Sequence, residues 1–232
     1  MAILCSVKTI EKSYINIIKD LKPFNAKLIA VSKLQSVADI QELYNLGHRD
    51  FGENYVQECC EKQEKLPADI HWHFIGHLQS NKVKNISPFI NLIQSVDSFK
   101  LLKEINKQAS KQNRIQDVLI QIHIAMEETK FGFSIEEAED LFESKELENL
   151  TNIKIKGFMA MASFSEDKNL IRKEFSQLKA FNEKICNKYA AYSKQLKLLS
   201  MGMTSDYQIA LEEGSNMVRI GSALFGERKK TE

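Results

Sequence analysis

Proline and glycine are scarce in this chain, at three and nine residues of 232, so it holds no proline-rich spacer, flexible glycine linker or collagen-like repeat. Cysteine is sparse too. Cys5, Cys59, Cys60 and Cys186 form no C-x-x-C pair, and adjacent Cys59 and Cys60 are poorly placed to bridge each other. A reducing cytoplasm is the expected setting. No apolar run approaches the ~20 residues of a membrane span, and the apolar stretch before Lys8 is too short for a signal peptide. Neither secretion nor membrane embedding is expected. Charge of one sign is missing as well: 32 basic and 31 acidic side chains leave a net charge of +1, which argues against a broad footprint for nucleic acid or an anionic membrane.

What is present suits one large domain with a substantial core, since 43% of the residues are hydrophobic and 27% charged. Ile3, Val7, Ile10, Tyr14, Ile17, Ile18 and Leu21 recur at three- and four-residue spacing, which predicts an amphipathic helix over 3–21 ending near Pro23. Short apolar runs then alternate with helical patterns. The runs fall at 27–32, 49–53, 71–76, 90–96, 117–124, 153–160, 197–202 and 217–221. The polar-rich helical segments fall at about 36–47, 54–65, 79–86, 98–112, 135–149, 168–190 and 204–213. Ser134 with Glu137 matches a capping box. Near-continuously apolar strands such as Val118-Leu-Ile-Gln-Ile122 suit parallel strands covered by helices on both sides. Eight such units predict a single (β/α)₈ TIM-type barrel with an extra N-terminal helix.

In such barrels the chemistry sits at the C-terminal ends of the strands, and the loops after strands seven and eight often hold phosphate. Ser200-Met-Gly202-Met-Thr204 and Arg219-Ile-Gly221-Ser222 fall there. Gly202 and Gly221 allow close backbone approach to an anion, the hydroxyls of Ser200, Thr204 and Ser222 add donors, and a helix beginning near Thr204 adds its positive end. Either glycine can equally serve only a tight turn. Lys33 closes the first apolar run, Leu28-Ile-Ala-Val-Ser-Lys33. A lysine partly desolvated in a barrel mouth, or set near a cation such as Arg219, can present a neutral amine to an aldehyde. Together these features suit a phosphorylated aldehyde, of which pyridoxal 5'-phosphate is the obvious candidate.

The motifs Ala30-Val-Ser-Lys33, Phe51-Gly-Glu-Asn54-Tyr-Val-Gln-Glu58, Trp72-His-Phe-Ile-Gly-His-Leu-Gln-Ser-Asn-Lys82, Glu128-Thr-Lys-Phe-Gly-Phe133, Ser200-Met-Gly-Met203 and Met217-Val-Arg-Ile-Gly221 stand in order along the whole chain. Together they resemble the pyridoxal phosphate homeostasis proteins. One local departure is Gly157-Phe-Met-Ala-Met-Ala-Ser163, where the pattern expects a proline. The resemblance implies a barrel similar to the N-terminal domain of alanine racemase, forming one cofactor-binding domain over 1–232 with an N-terminal helix within 1–24 and a tail at 227–232. It implies the cofactor held as an aldimine on Lys33, with Ser200, Gly221 and Ser222 at the phosphate and Arg219 facing the pyridine nitrogen.

An arginine there is a permanent donor, so the ring nitrogen stays unprotonated and the ring is a weak electron sink. A racemase also needs an acid/base group on each face of the substrate, and the length leaves no room for the second domain that supplies the opposing tyrosine. The expectation is therefore a carrier that serves vitamin B6 and amino-acid homeostasis, meets cofactor-requiring apoenzymes, is monomeric, and lacks strong turnover. A racemase-like enzyme is the alternative.

Other constellations are weaker. His71-x-His73 projects both imidazoles to one face with His77 just beyond, which could suit a metal-dependent hydrolase, yet no carboxylate completes a ligand set, and no metal is expected. Cys59, near Glu53 and His48 in sequence, reads as a buried small hydrophobe rather than a nucleophile. Asn54 either contacts the cofactor or caps the next helix.

Overall fold

A computed structural model describes residues 2–127 and 131–226, with side chains from residue 10 onward. Eight parallel strands, β1 (Lys27–Val31), β2 (Asp50–Glu53), β3 (His71–Phe74), β4 (Leu92–Val96), β5 (Gln116–Gln121), β6 (Ile153–Met159), β7 (Leu198–Ser200) and β8 (Met217–Ile220), close into a barrel in sequence order. The closure pairs Ile29 with Arg219 and Ala30 with Ile220. Each strand falls within a residue or two of an expected apolar run for a physical reason: strands buried on both faces show up as uninterrupted hydrophobicity.

Alternation sorts the side chains. Leu28, Ala30, Phe51, Val118, Phe158, Val218 and Ile220 face outward into the main core beneath the helices. Ile29, Leu92, Leu119, Met159 and Met217 form a separate apolar layer inside the barrel. Glycine is indispensable at Gly157, whose φ is +150° and whose Cβ would stand 1.9 Å from the Leu198 carbonyl oxygen. The β6 backbone there presses directly on β7.

The outer ring consists of α1 (Ala2–Leu21), α2 (Val37–Asn45), α3 (Val56–Lys65), α4 (Val83–Ile86), α5 (Phe99–Lys111), α6 (Ile135–Glu143), α7 (Lys145–Glu148), α8 (Lys168–Lys188), α9 (Ala190–Ser193), α10 (Tyr207–Glu212) and α11 (Ser222–Phe225). Because α11 has only four residues, α1 packs beside it and against β1 and completes the ring. The expected capping box is present: Glu137 N donates to Ser134 Oγ at 3.1 Å, and Ser134 N donates to Glu137 Oε2 at 2.9 Å.

Three helical segments differ from expectation. Residues 79–86 begin as a 3-10 turn over Ser80–Lys82. The stretch 135–149 breaks at Ser144, whose hydroxyl caps α7. Helix α10 starts at Tyr207 rather than near Thr204. Residues 128–130 of the Glu128–Phe133 motif and the 227–232 tail lie outside the described residues.

Candidate functional site

The loops after β7 and β8 converge as the glycine pattern predicts. Ser222 Oγ donates to Thr204 Oγ1 at 3.2 Å, and Ala223 N donates to the same oxygen at 3.4 Å. Gly221 lies against the end of β1, where an added Cβ would be 3.3 Å from both Val31 Cβ and Val31 O. This contact sets the Ser222–Ala223 turn beside the loop that carries Lys33, two residues beyond β1. Lys33 itself is half-buried.

Two of the expected contributors are occupied differently. Gly202 has φ +91°, and a Cβ there would come within 2.7 Å of Ala210 Cβ and 2.8 Å of Tyr207 Cα, so its smallness serves the packing of α10. The start of α10 belongs to Asp206, whose Oδ1 accepts from Met203 N at 2.6 Å. A carboxylate at that position disfavours an anion at the helix start.

Arg219 is 4% exposed. Its Nη1 donates to Ser200 O and Ser200 Oγ, both at 2.7 Å, and its Nη2 donates to Ala160 O at 2.9 Å. Burial lowers its pKa to about 10, partly offset by the Asp206 charge. It therefore remains a cation at neutral pH.

Ser200, fully buried, turns its hydroxyl into the barrel and donates to Gln94 Oε1 at 2.6 Å. Gln94 Nε2 donates to His73 Nδ1 at 3.1 Å, which leaves His73 Nε2 to donate to Asp50 Oδ1 at 3.0 Å. Asp50 also meets Lys27 at 3.3 Å and His71 at 3.5 Å. One row of hydrogen bonds thus runs down the barrel axis from Arg219 to the N-terminal ends of the strands. Burial would raise the Asp50 carboxyl, but its His73 and Lys27 partners outweigh that and hold it well below the usual range. Burial lowers His73 and keeps it neutral near pH 7, against the pull of Asp50.

The Lys33 loop is anchored on both sides. Ser32 Oγ donates to Glu53 Oε1 at 2.6 Å, Lys62 Nζ donates to Ser32 O at 2.6 Å, and Leu34 N donates to Glu58 Oε1 at 2.6 Å. Lys62 also meets Glu53 at 2.8 Å and Glu58 at 2.7 Å. Leu34 has φ +61°, a left-handed conformation that costs a residue with a Cβ roughly 1–2 kcal/mol.

Asn54 does not cap α3. The N-cap is Tyr55, without a side-chain hydrogen bond, and the buried Asn54 Oδ1 has no partner. His71 and His73 enter the barrel at the N-terminal end of β3 while His77 stands beyond its C-terminal end, bonded to Asp97 at 2.8 Å and stacked on Phe131. Among the described residues no group of three or more His, Cys, Asp or Glu could hold a metal. Cys59 is fully buried in the main core, and desolvation pushes its thiol far up, away from nucleophilic use.

The family model "Alanine racemase, N-terminal domain" matches residues 7–229. The pyridoxal phosphate homeostasis protein of Aquifex aeolicus is 43% identical over 205 residues, covering 88% of each chain. The chain belongs to the pyridoxal phosphate homeostasis protein family. Two solved structures of the Synechococcus elongatus protein PipY, without and with PLP bound, superpose with TM-scores of 0.87 and 0.84. Each is 32% identical and matches 94% of this chain and all of PipY.

In this homeostasis family member the residues read from motifs, Lys33, Asn54, Arg219, Gly221 and Ser222, lie at the C-terminal strand ends. Ser200 lies deeper, beneath Arg219. Sequence reasoning missed Gln94, Glu58, Lys62 and the Ala160 carbonyl. The signal available was a lone glutamine within the apolar run Leu92-Ile-Gln-Ser-Val96 and a lone glutamate ending Phe51-Gly-Glu53, each marking a buried polar group that needs a partner.

Proposed function

We propose that this chain carries pyridoxal 5'-phosphate as a Schiff base on Lys33 and serves vitamin B6 and amino-acid homeostasis without strong turnover. What carries the reading is the juxtaposition of three features: the Lys33 loop, the Thr204–Ser222–Ala223 turn brought to it by Gly221, and the buried Arg219 cation beneath. The residues fit the group. Thr204, Ser222 and the Ala223 N–H supply donors for a phosphate, Arg219 a fixed positive charge, and Asn54 Oδ1 an acceptor with no partner. The names of the homeostasis relatives and the cofactor in PipY support the assignment.

The cofactor, when bound, supplies an aldehyde that a lysine amine takes up reversibly with loss of water. Lys33 provides the amine. Arg219, with its guanidinium protonated and spread over Ser200 and Ala160, can only donate, so it cannot protonate and activate a ring nitrogen as a carboxylic acid partner does. This chain's chemistry restrains the cofactor rather than driving carbanion formation. Handover to apoenzymes, a monomeric state, a single domain over 1–232 and a cytoplasmic setting complete the proposal. Free thiols at Cys59, Cys60 and Cys186 support a reducing compartment.

The test is titration of the purified protein with pyridoxal phosphate, followed by absorbance. The wild type is expected to show an imine band that Lys33→Ala loses while keeping its urea unfolding curve. A band retained in Lys33→Ala rejects the assignment.

A further inference from the structure

Lys62 is a buried cation outside the set of residues proposed above to hold the cofactor. It sits on α3, its side chain 6% exposed, between the fully buried Glu53 and the 21% exposed Glu58. An ion pair that only fastened α3 to the barrel would need just one of these carboxylates. Here the cluster also reaches both residues flanking Lys33: the Ser32 carbonyl accepts from Lys62, the Ser32 hydroxyl donates to Glu53, and the Leu34 amide donates to Glu58. The Leu34 backbone is left-handed, a conformation leucine adopts only when its surroundings impose it. The amide that Glu58 grips belongs to that same strained residue.

We propose that Lys62 and Glu58 are positioning residues that lock the Ser32–Leu34 backbone and thereby set the direction in which Lys33 presents its amine; the proposal rests on Lys33 being the attachment site. The lock is made of two α3 side chains and one β2 side chain, so the position of Lys33 is tied to the packing of α3 rather than left to the loop backbone alone. Loss of Glu58 frees the Leu34 amide and lets φ relax to negative values, which rotates the peptide unit next to Lys33.

The experiment measures two quantities on the full chain. One is the rate at which pyridoxal phosphate is taken up on Lys33, trapped by borohydride at timed intervals and quantified by peptide mass. The other is hydrogen exchange of the Leu34 amide in the absence of cofactor. Glu58→Ala is expected to slow uptake at least tenfold and to speed exchange at Leu34 at least tenfold. Glu58→Gln, which restores an acceptor, is expected to recover most of both losses. Lys62→Met gives a second reading, and because it leaves buried carboxylates unpaired, it is compared only if it unfolds cooperatively.

Uptake and exchange in Glu58→Ala within twofold of wild type overturn the proposal, as does a slow Glu58→Ala that Glu58→Gln fails to rescue, since a merely structural loss would lower stability without following the acceptor. Wild-type protein that traps no cofactor on Lys33 removes the attachment site itself and the proposal with it; wild-type trapping with an equally fast Glu58→Ala removes the positioning role alone.

Discussion

Ser200→Ala tests the row of hydrogen bonds inside the barrel, and its cost follows from the geometry. The hydroxyl donates to Gln94 Oε1 at 2.6 Å and accepts from Arg219 Nη1 at 2.7 Å, with Ser200 and Gln94 fully buried and Arg219 4% exposed. Removing it strands the Gln94 carbonyl oxygen without a donor, which costs about 1–3 kcal/mol. It also removes a hydrogen bond to a charged donor, worth about 1.5–3 kcal/mol. Arg219 Nη1 keeps the Ser200 main-chain carbonyl at 2.7 Å, so the second loss is only partial. The expected total is about 2–4 kcal/mol, read from urea unfolding of the cofactor-free protein at neutral pH. Adding Gln94→Met should cost less than the sum of the two single changes, because the stranded oxygen disappears with its side chain. A Ser200→Ala loss under about 0.5 kcal/mol, or strict additivity, would refute a continuous buried row.

Two further outcomes concern the fold. Burial lowers the pKa values of His48 and His73 below the ordinary 6.5, so below about pH 6.5 the unfolded chain binds protons that the folded chain refuses; stability is complete above that pH and is lost as the pH falls from there towards the depressed folded values. Glu53, raised by burial despite Lys62, acts with the opposite sign nearer its own range, so urea midpoints should drop between pH 7.5 and 5.5, and a flat or rising profile contradicts the assignment. Gly157→Ala places a Cβ 1.9 Å from Leu198 O at φ +150°; a loss above about 4 kcal/mol is expected, seen as failure to recover cooperatively unfolding protein, and a wild-type-like transition contradicts the reading of that contact.

The barrel was legible because its grammar is local. Each parallel strand announces itself as an apolar run, and Ser134 with Glu137 announces a helix start within four residues. The strand-end positions of Lys33, Gly221 and Ser222 were legible, because each follows an apolar run. The interior was not. The bond from Ser200 to Gln94 spans 106 residues and needs the closed barrel to set β7 across from β4, and that from Lys62 to the Ser32 carbonyl spans 30 and needs α3 packed over the end of β1. The packing role of Gly202 and the place of Asp206 at the start of α10 were not legible for a related reason. A turn residue and a glycine look alike whether they welcome an anion or serve the seating of α10, and only the contacts with Met203, Tyr207 and Ala210 decide between them.

Carriage of the cofactor by this chain depends on where it attaches. Reduction of the pyridoxal phosphate-loaded protein with borohydride, followed by peptide mass analysis, should place the added pyridoxyl mass on the peptide carrying Lys33 in near-stoichiometric yield. Absence of that mass, or its appearance on another lysine in preference to Lys33, would contradict attachment at Lys33.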